Sequence, residues 1–152
     1  QSSEWAESRE LDWWLLQYEE HKGIQRLVRD LNQTYRGSPE LWAADNVPEA
    51  FSWIDANDAA NNVFSFVRSG PGGEMLACVA NFSAVPHDGY RLGLPAAGTW
   101  REILNSDAES YHGSGVGNLG GVAAVEQEWH GRAASATLRL PPLGTVWLRL
   151  ER

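Results

Sequence analysis

Cysteine occurs once in the 152 residues, as Cys78, and a single thiol excludes an internal disulfide framework and cannot by itself supply a zinc site. Long apolar runs are missing too. No stretch approaches the roughly 18–20 apolar residues that a membrane-spanning helix needs, and the opening "QSSEWAESRE" has neither the basic nor the apolar region of a signal peptide. The expected setting is cytoplasmic, with no membrane partner. Positive charge is scarce: 12 Lys and Arg against 20 Asp and Glu leave a formal charge of −8. No Lys or Arg run is long enough to neutralise a series of phosphates, which excludes nucleic acid and anionic lipid as partners. What is abundant is tryptophan. Eight of them exceed what a core of this size needs, and flat aromatic faces are what sugars, like bases, stack on.

Along the chain the pattern changes once. The first ten residues are polar and aperiodic, a loop expected to begin in mid-course. From Gly23 onward, Ile24, Leu27, Val28, Leu31 and Tyr35 recur at helical spacing, with Arg26, Arg29, Asp30 and Gln33 on the opposite face. Gly37 is the expected stop, and Ser38, Pro39 and Glu40 read as N-cap, first position and first turn of a short second helix. After about Val47 the period becomes two. "FSWIDAN", "NVFSFVRSG", "MLACVANFS", "YRLGLP", "TWREILN", "SATLRLP" and "TVWLRLE" read as short antiparallel strands separated by turn residues. The predicted fold class is therefore mainly β, an antiparallel β-sandwich (residues 47–152) preceded by a helical segment (residues 1–46). That segment cannot bury its apolar stripe alone, so the stripe packs either on the sandwich or on a partner outside the chain. An exposed stripe would favour self-association.

Most chemical motifs reduce to ordinary turns. "HGSGVGN" (112–118) has glycines spaced as in a phosphate cradle but lacks the preceding strand, following helix and Gly-Lys-Ser/Thr ending, so a surface loop is expected. Asp107, His112 and Ser114 are the residue types of a hydrolytic triad, without the Gly-x-Ser-x-Gly elbow. Asp55 and Asp58 lack the rest of a calcium loop and fit a solvated hairpin turn better. His21, His87, His112 and His130 lack helical zinc spacing, so no metal is expected, nor any cofactor. Cys78 reads as a small buried hydrophobe. Trp100 and Trp147 alternate with apolar neighbours and look like core. Phe51 and Trp53 share one strand face, which is either the buried side of the sandwich or an open one. Trp13 and Trp14 cannot both face one way, so one is expected buried and the other along a groove.

"EWAESRELDWWLL", "HKGIQRLVRDLNQTYR", "FSWIDANDAANNVFSFVR", "VANFSAVPHDGYRLGLPAAGTWREILNSDAESYHGSGVGN" and "LRLPPLGTVWLRL" together resemble the carboxy-terminal part of bacterial glycogen branching enzymes, members of the alpha-amylase superfamily. The resemblance runs over essentially the whole chain. It implies that residues 1–46 are the end of a catalytic (β/α)8 barrel, its last helix included, and that 47–152 form the carboxy-terminal sandwich. It also implies a parent reaction in which an α-1,4-glucan chain is held on an aspartate and transferred to a 6-hydroxyl, with a second carboxyl group as acid and base. The family's catalytic carboxylates match nothing here, so no catalytic residue is assigned and the chain alone is expected to be inactive. "LDWWLL" resembles the family's "LDWHLL", with Trp14 in place of a histidine. Trp13 is then either a strut between barrel and sandwich, the preferred reading, or part of a glucan-facing surface. Trp53 matches the tryptophan of the family's "FEW", where some members bind surface glucan. His21, Lys22 and Gly23 match "HHG", although Glu20 replaces the tryptophan often found before it. The implied glucan-binding residues are thus Trp53, Trp13 and His21, and the implied partners are α-1,4-glucan or glycogen and the catalytic barrel. A stand-alone glucan-binding module and a purely structural domain are the alternatives.

Overall fold

A computed structural model describes residues 3–151. Gln1 and Ser2 of the expected opening loop, and Arg152 of the expected sandwich, lie outside the described residues. Eight antiparallel strands follow one helix: α1 (Glu19–Arg36), β1 (Phe51–Asp58), β2 (Val63–Ser69), β3 (Met75–Asn81), β4 (His87–Leu94), β5 (Gly98–Asn105), β6 (Gly121–Ala124), β7 (Ala134–Leu140) and β8 (Gly144–Leu150). Six strands form one sheet in the order β1-β2-β3-β8-β5-β6, and β4 pairs with β7 in a second. Period-two burial follows from this. On β2, Val63, Ser65 and Val67 turn inward while Phe64 is exposed. Inward residues of both sheets, among them Ile54, Val79, Leu92, Leu138, Val146 and Leu148, close around Trp100 in one cluster.

The other face of the large sheet is only partly open. Leu76, Cys78 and Leu104 are buried without belonging to the inter-sheet cluster, and the register that pairs Cys78 and Leu104 with Trp147 puts all of these on the outward face. Trp147 is therefore not sandwich core as expected. It is half-buried on the outward side, whereas Trp100 is fully buried as expected. Burial pushes the Cys78 thiol up to about 12, against a smaller opposing hydrogen bond with Trp147. A thiol reagent at pH 8 should leave the folded chain unlabelled and label one site after denaturation.

The helical segment docks onto this face through polar groups. Ser38 does not cap a second helix as expected. Its hydroxyl donates back to the Thr34 carbonyl at the end of α1 and accepts from Arg149 on β8, and a 3-10 turn, Pro39–Leu41, follows in place of a helix. Glu40, 1% exposed, accepts from Arg149 Nε at 2.8 Å. Arg68 on β2 reaches the Asp45 carboxylate and the Leu41 carbonyl. Helix α1 starts at Glu19, before the first residue of its apolar stripe, with Glu19 and Glu20 in the first turn where the helix dipole favours acids. It ends at Gly37 as expected.

Sequence reading missed one strand. β6 has four small residues, "GVAA", at the end of a glycine-rich stretch, with little β propensity to announce it. It exists because Gly121–Ala124 pair with Gly98–Arg101 of β5.

Candidate functional site

Two surfaces gather the aromatic residues. The first lies on the outward face of β1 and β2, the open alternative for Phe51 and Trp53. Trp53 pairs in register with Phe66 and is 51% exposed. Its ring contacts Phe51 edge-on at 5.1 Å, Phe66 at 6.1 Å and Phe64 at 6.2 Å, and Phe64 in turn contacts Phe82 at 5.6 Å. Strand alternation produces this. Ile54, Val63 and Val67 fill the inward side, so the aromatic positions between them have only the outer face left.

The edge strand carrying Trp53 is held from the connection between β6 and β7. Arg132 donates to the Trp53 carbonyl at 2.7 Å and to Ser52 Oγ at 2.9 Å. His130 Nε2 lies 3.7 Å from the Asp55 carboxylate. The neighbouring hairpin turn is built as expected of Asp58. Its carboxylate accepts from the Asn61 side chain at 2.8 Å and from the Tyr90 hydroxyl at 2.9 Å. Burial alone would raise the Asp58 pKa, but these hydrogen bonds outweigh it and hold the carboxyl below the usual range. A folded-state pKa below the unfolded one means that Asp58's contribution is complete above the unfolded value and is lost as pH falls through the folded value. Asp58→Asn should therefore flatten the acid limb of stability between those two values, read by urea melts over a pH series.

The second surface belongs to the helical segment. Residues Trp13–Gln17 form a 3-10 turn. With α1 they enclose an apolar groove of about 620 Å³, lined by Leu11, Trp13, Leu15, Leu16, Ile24 and Val28, together with Asp12, His21 and Gln25. Trp13 and His21 thus share one surface, and Trp53 belongs to the other. The expectation that one of Trp13 and Trp14 is buried does not hold among the described residues, since they are 60% and 58% exposed. A 3-10 turn directs consecutive side chains to different sides, and no described element covers either ring.

Helix α1 meets the sandwich through a different face. Arg26 Nε donates to the Ser110 carbonyl at 2.7 Å, Tyr111 donates its hydroxyl to Asp30 at 2.9 Å, and Gly23 lies against the Tyr111 backbone. At 3.6 residues per turn these positions lie roughly a third to a half of a turn from Ile24, Val28 and Tyr35. Those three remain exposed. Of the stripe that was expected to pack on the sandwich or on a partner, Leu27 and Leu31 are half-buried, and Ile24, Val28 and Tyr35 are bare in this chain.

The glycine-rich loop is held by its own acids. Asp107 and Ser114 do meet, at 2.6 Å, but the hydroxyl donates directly to the carboxylate, and no hydrogen bond joins His112 to either. The same carboxylate accepts the Ser114 and Val116 N–H groups, and Glu102 accepts that of Asn118. N–H groups that would cradle a phosphate are already taken by anions, as a folded surface loop requires. Sequence reading missed Phe64 and Phe82. The usable signal was the alternation on β2, which places Phe64 opposite Val63 and on the side of Trp53.

Residues 53–151 match the family described as "Alpha amylase, C-terminal all-beta domain". The chain is 59% identical over 149 residues to the 1,4-alpha-glucan branching enzyme GlgB of Mycolicibacterium paratuberculosis, which covers 97% of this chain and 20% of that protein. It is 60% identical over 149 residues, with the same coverage, to the enzyme of that name from Mycobacterium tuberculosis. To the one from Rhodococcus jostii it is 58% identical over 156 residues, covering 100% of this chain and 21% of that protein. The chain spans about a fifth of the length of these relatives.

Proposed function

Since the chain belongs to the alpha-amylase carboxy-terminal all-beta domain family, we propose that it is the carboxy-terminal part of a 1,4-alpha-glucan branching enzyme and that it braces the catalytic barrel and holds glucan for it. In this reading residues 1–46 complete the barrel and 47–152 form the attached sandwich. The parent enzyme, cytoplasmic and active in carbohydrate metabolism, cuts an α-1,4 chain and rejoins it at a 6-hydroxyl. The observation that carries the reading is the bare apolar side of the helical segment beside a sandwich whose own core is closed. A face of that size left in water is costly, and the barrel is the element that would cover it. In the isolated chain the same face favours self-association, which sedimentation velocity over a concentration series would detect.

The test is an assay of the chain with amylose. No rise in α-1,6 linkages is expected from the chain alone, and any such rise would move catalysis into these residues. Trp53 supports a second activity, that of a glucan-binding module, because its ring is open on the outer sheet face. Trp13 and His21 line the groove that the barrel would cover, so they would contact glucan only along its border. Trp53→Ala should weaken retention in a glycogen-containing native gel while leaving the melting temperature nearly unchanged, as an exposed side chain allows. Unchanged retention would remove Trp53 from the glucan surface.

A further inference from the structure

The Trp53 ring is one end of a longer path. From Trp53 the contacts pass to Phe64 at 6.2 Å and on to Phe82 at 5.6 Å, and all three rings are exposed. Beyond Phe64 and Phe82 the path opens into a cleft of about 210 Å³, whose other lining residues include Ala56, Asp58 and Asn62. Cleft and path are fixed to one another. The Asn62 carbonyl, at a residue in the left-handed conformation, accepts the Phe82 N–H at 2.9 Å. The exposed Asn62 side-chain amide has no hydrogen-bond partner among the described residues, and it offers both a donor and an acceptor.

The chemistry of this surface selects its occupant. The rings carry no ionised group, and Asp58 at one end together with a chain charge of −8 disfavours anions. A neutral ligand with flat C–H faces and a hydroxyl rim fits rings on one side and an amide and a carboxylate on the other. We propose that Trp53, Phe64, Phe82 and the cleft at Asn62 form one extended site for consecutive glucose units of a single α-1,4-glucan chain. The inference rests on the reading of Trp53 as a glucan contact and extends it from one platform to a path.

Affinity should then keep rising with chain length. The test is a fluorescence titration of the chain with linear maltooligosaccharides from maltose to maltoheptaose, repeated with Phe64→Ala, Phe82→Ala, Phe64→Tyr and Trp53→Ala, each checked by its melting curve. Phe64→Ala and Phe82→Ala are expected to lose roughly tenfold in affinity for maltoheptaose, the scale of one lost stacking ring, with little change for maltose. Phe64→Tyr keeps the ring and should bind as the parent does, and Trp53→Ala should weaken every length. Parent-like affinity in both alanine variants, or a plateau at maltose, would overturn the extended site while leaving Trp53 as a lone platform. Absence of any Trp53-dependent binding would overturn the underlying reading as well. A change in sedimentation without a change in glucan affinity would make the face a contact between copies and also overturn the site.

Discussion

Arg149→Ala is expected to destabilise the fold by about 1–3 kcal/mol, because it removes the partly exposed guanidinium that satisfies a buried carboxylate. Glu40 is the group left behind. It is almost fully buried, its carboxylate receives Arg149 Nε at 2.8 Å, and the same guanidinium also donates to Ser38. Arg149 lies on β8, deep in the sheet order, whereas Ser38 and Glu40 belong to the helical segment. The loss should therefore appear as release of that segment before the sandwich unfolds, seen as early hydrogen exchange and proteolysis around α1. Glu40→Gln should cost less, since the amide oxygen still accepts from Arg149 and no charge is stranded. Equal melting of Arg149→Ala and the parent would show that the segment is held by something other than this bridge.

Gly23→Ala should also destabilise, by about 1–3 kcal/mol, in a direction opposite to helix propensity. Within a helix, alanine is favoured over glycine by about 1 kcal/mol. At this position, however, an added Cβ would lie 2.2 Å from the Tyr111 carbonyl oxygen and 3.1 Å from His112 Cβ. The backbone on the far side is itself held, because Tyr111 bonds Asp30 and the loop beyond it is clasped by Asp107. Helix α1 would have to lift off the loop and lose the Arg26–Ser110 and Tyr111–Asp30 bonds with it. Gly37→Ala is the control. There φ is −87° and the nearest atom to the new Cβ is 3.4 Å away, so a neutral or slightly stabilising effect is expected. Urea melts of the two variants should move in opposite directions or differ clearly in size.

Both predictions concern contacts that pattern reading could not reach. Period-two alternation revealed every strand of the sandwich but β6, and the 3.6 period revealed α1, because those signals are local. How α1 docks is not local. The part of its apolar stripe that carries Ile24, Val28 and Tyr35 is not the face that meets the sandwich, and the face that does carries Gly23, Arg26 and Asp30. A polar docking face looks in sequence like a solvent face. Trp147 misled for a related reason, since apolar alternation shows that a residue is covered on one side without showing which layer covers it. At the candidate sites, Trp13 and His21 were brought together on one groove, while Trp53 was found on the other surface with Phe64 and Phe82. The extent of that second surface depends on cross-strand register, which a single sequence does not display.

The central claim is that the bare face of α1 is covered by the rest of the parent protein. Val28→Cys places a thiol on that face, and Cys78, buried and with its pKa raised to about 12, supplies a silent background. Labelling of Val28→Cys by a thiol reagent should be compared between this chain alone and the full-length protein. The account predicts rapid labelling in the isolated chain and strong protection in the full-length protein. Equally rapid labelling in both would contradict it, because the stripe would then face water in the full-length protein too.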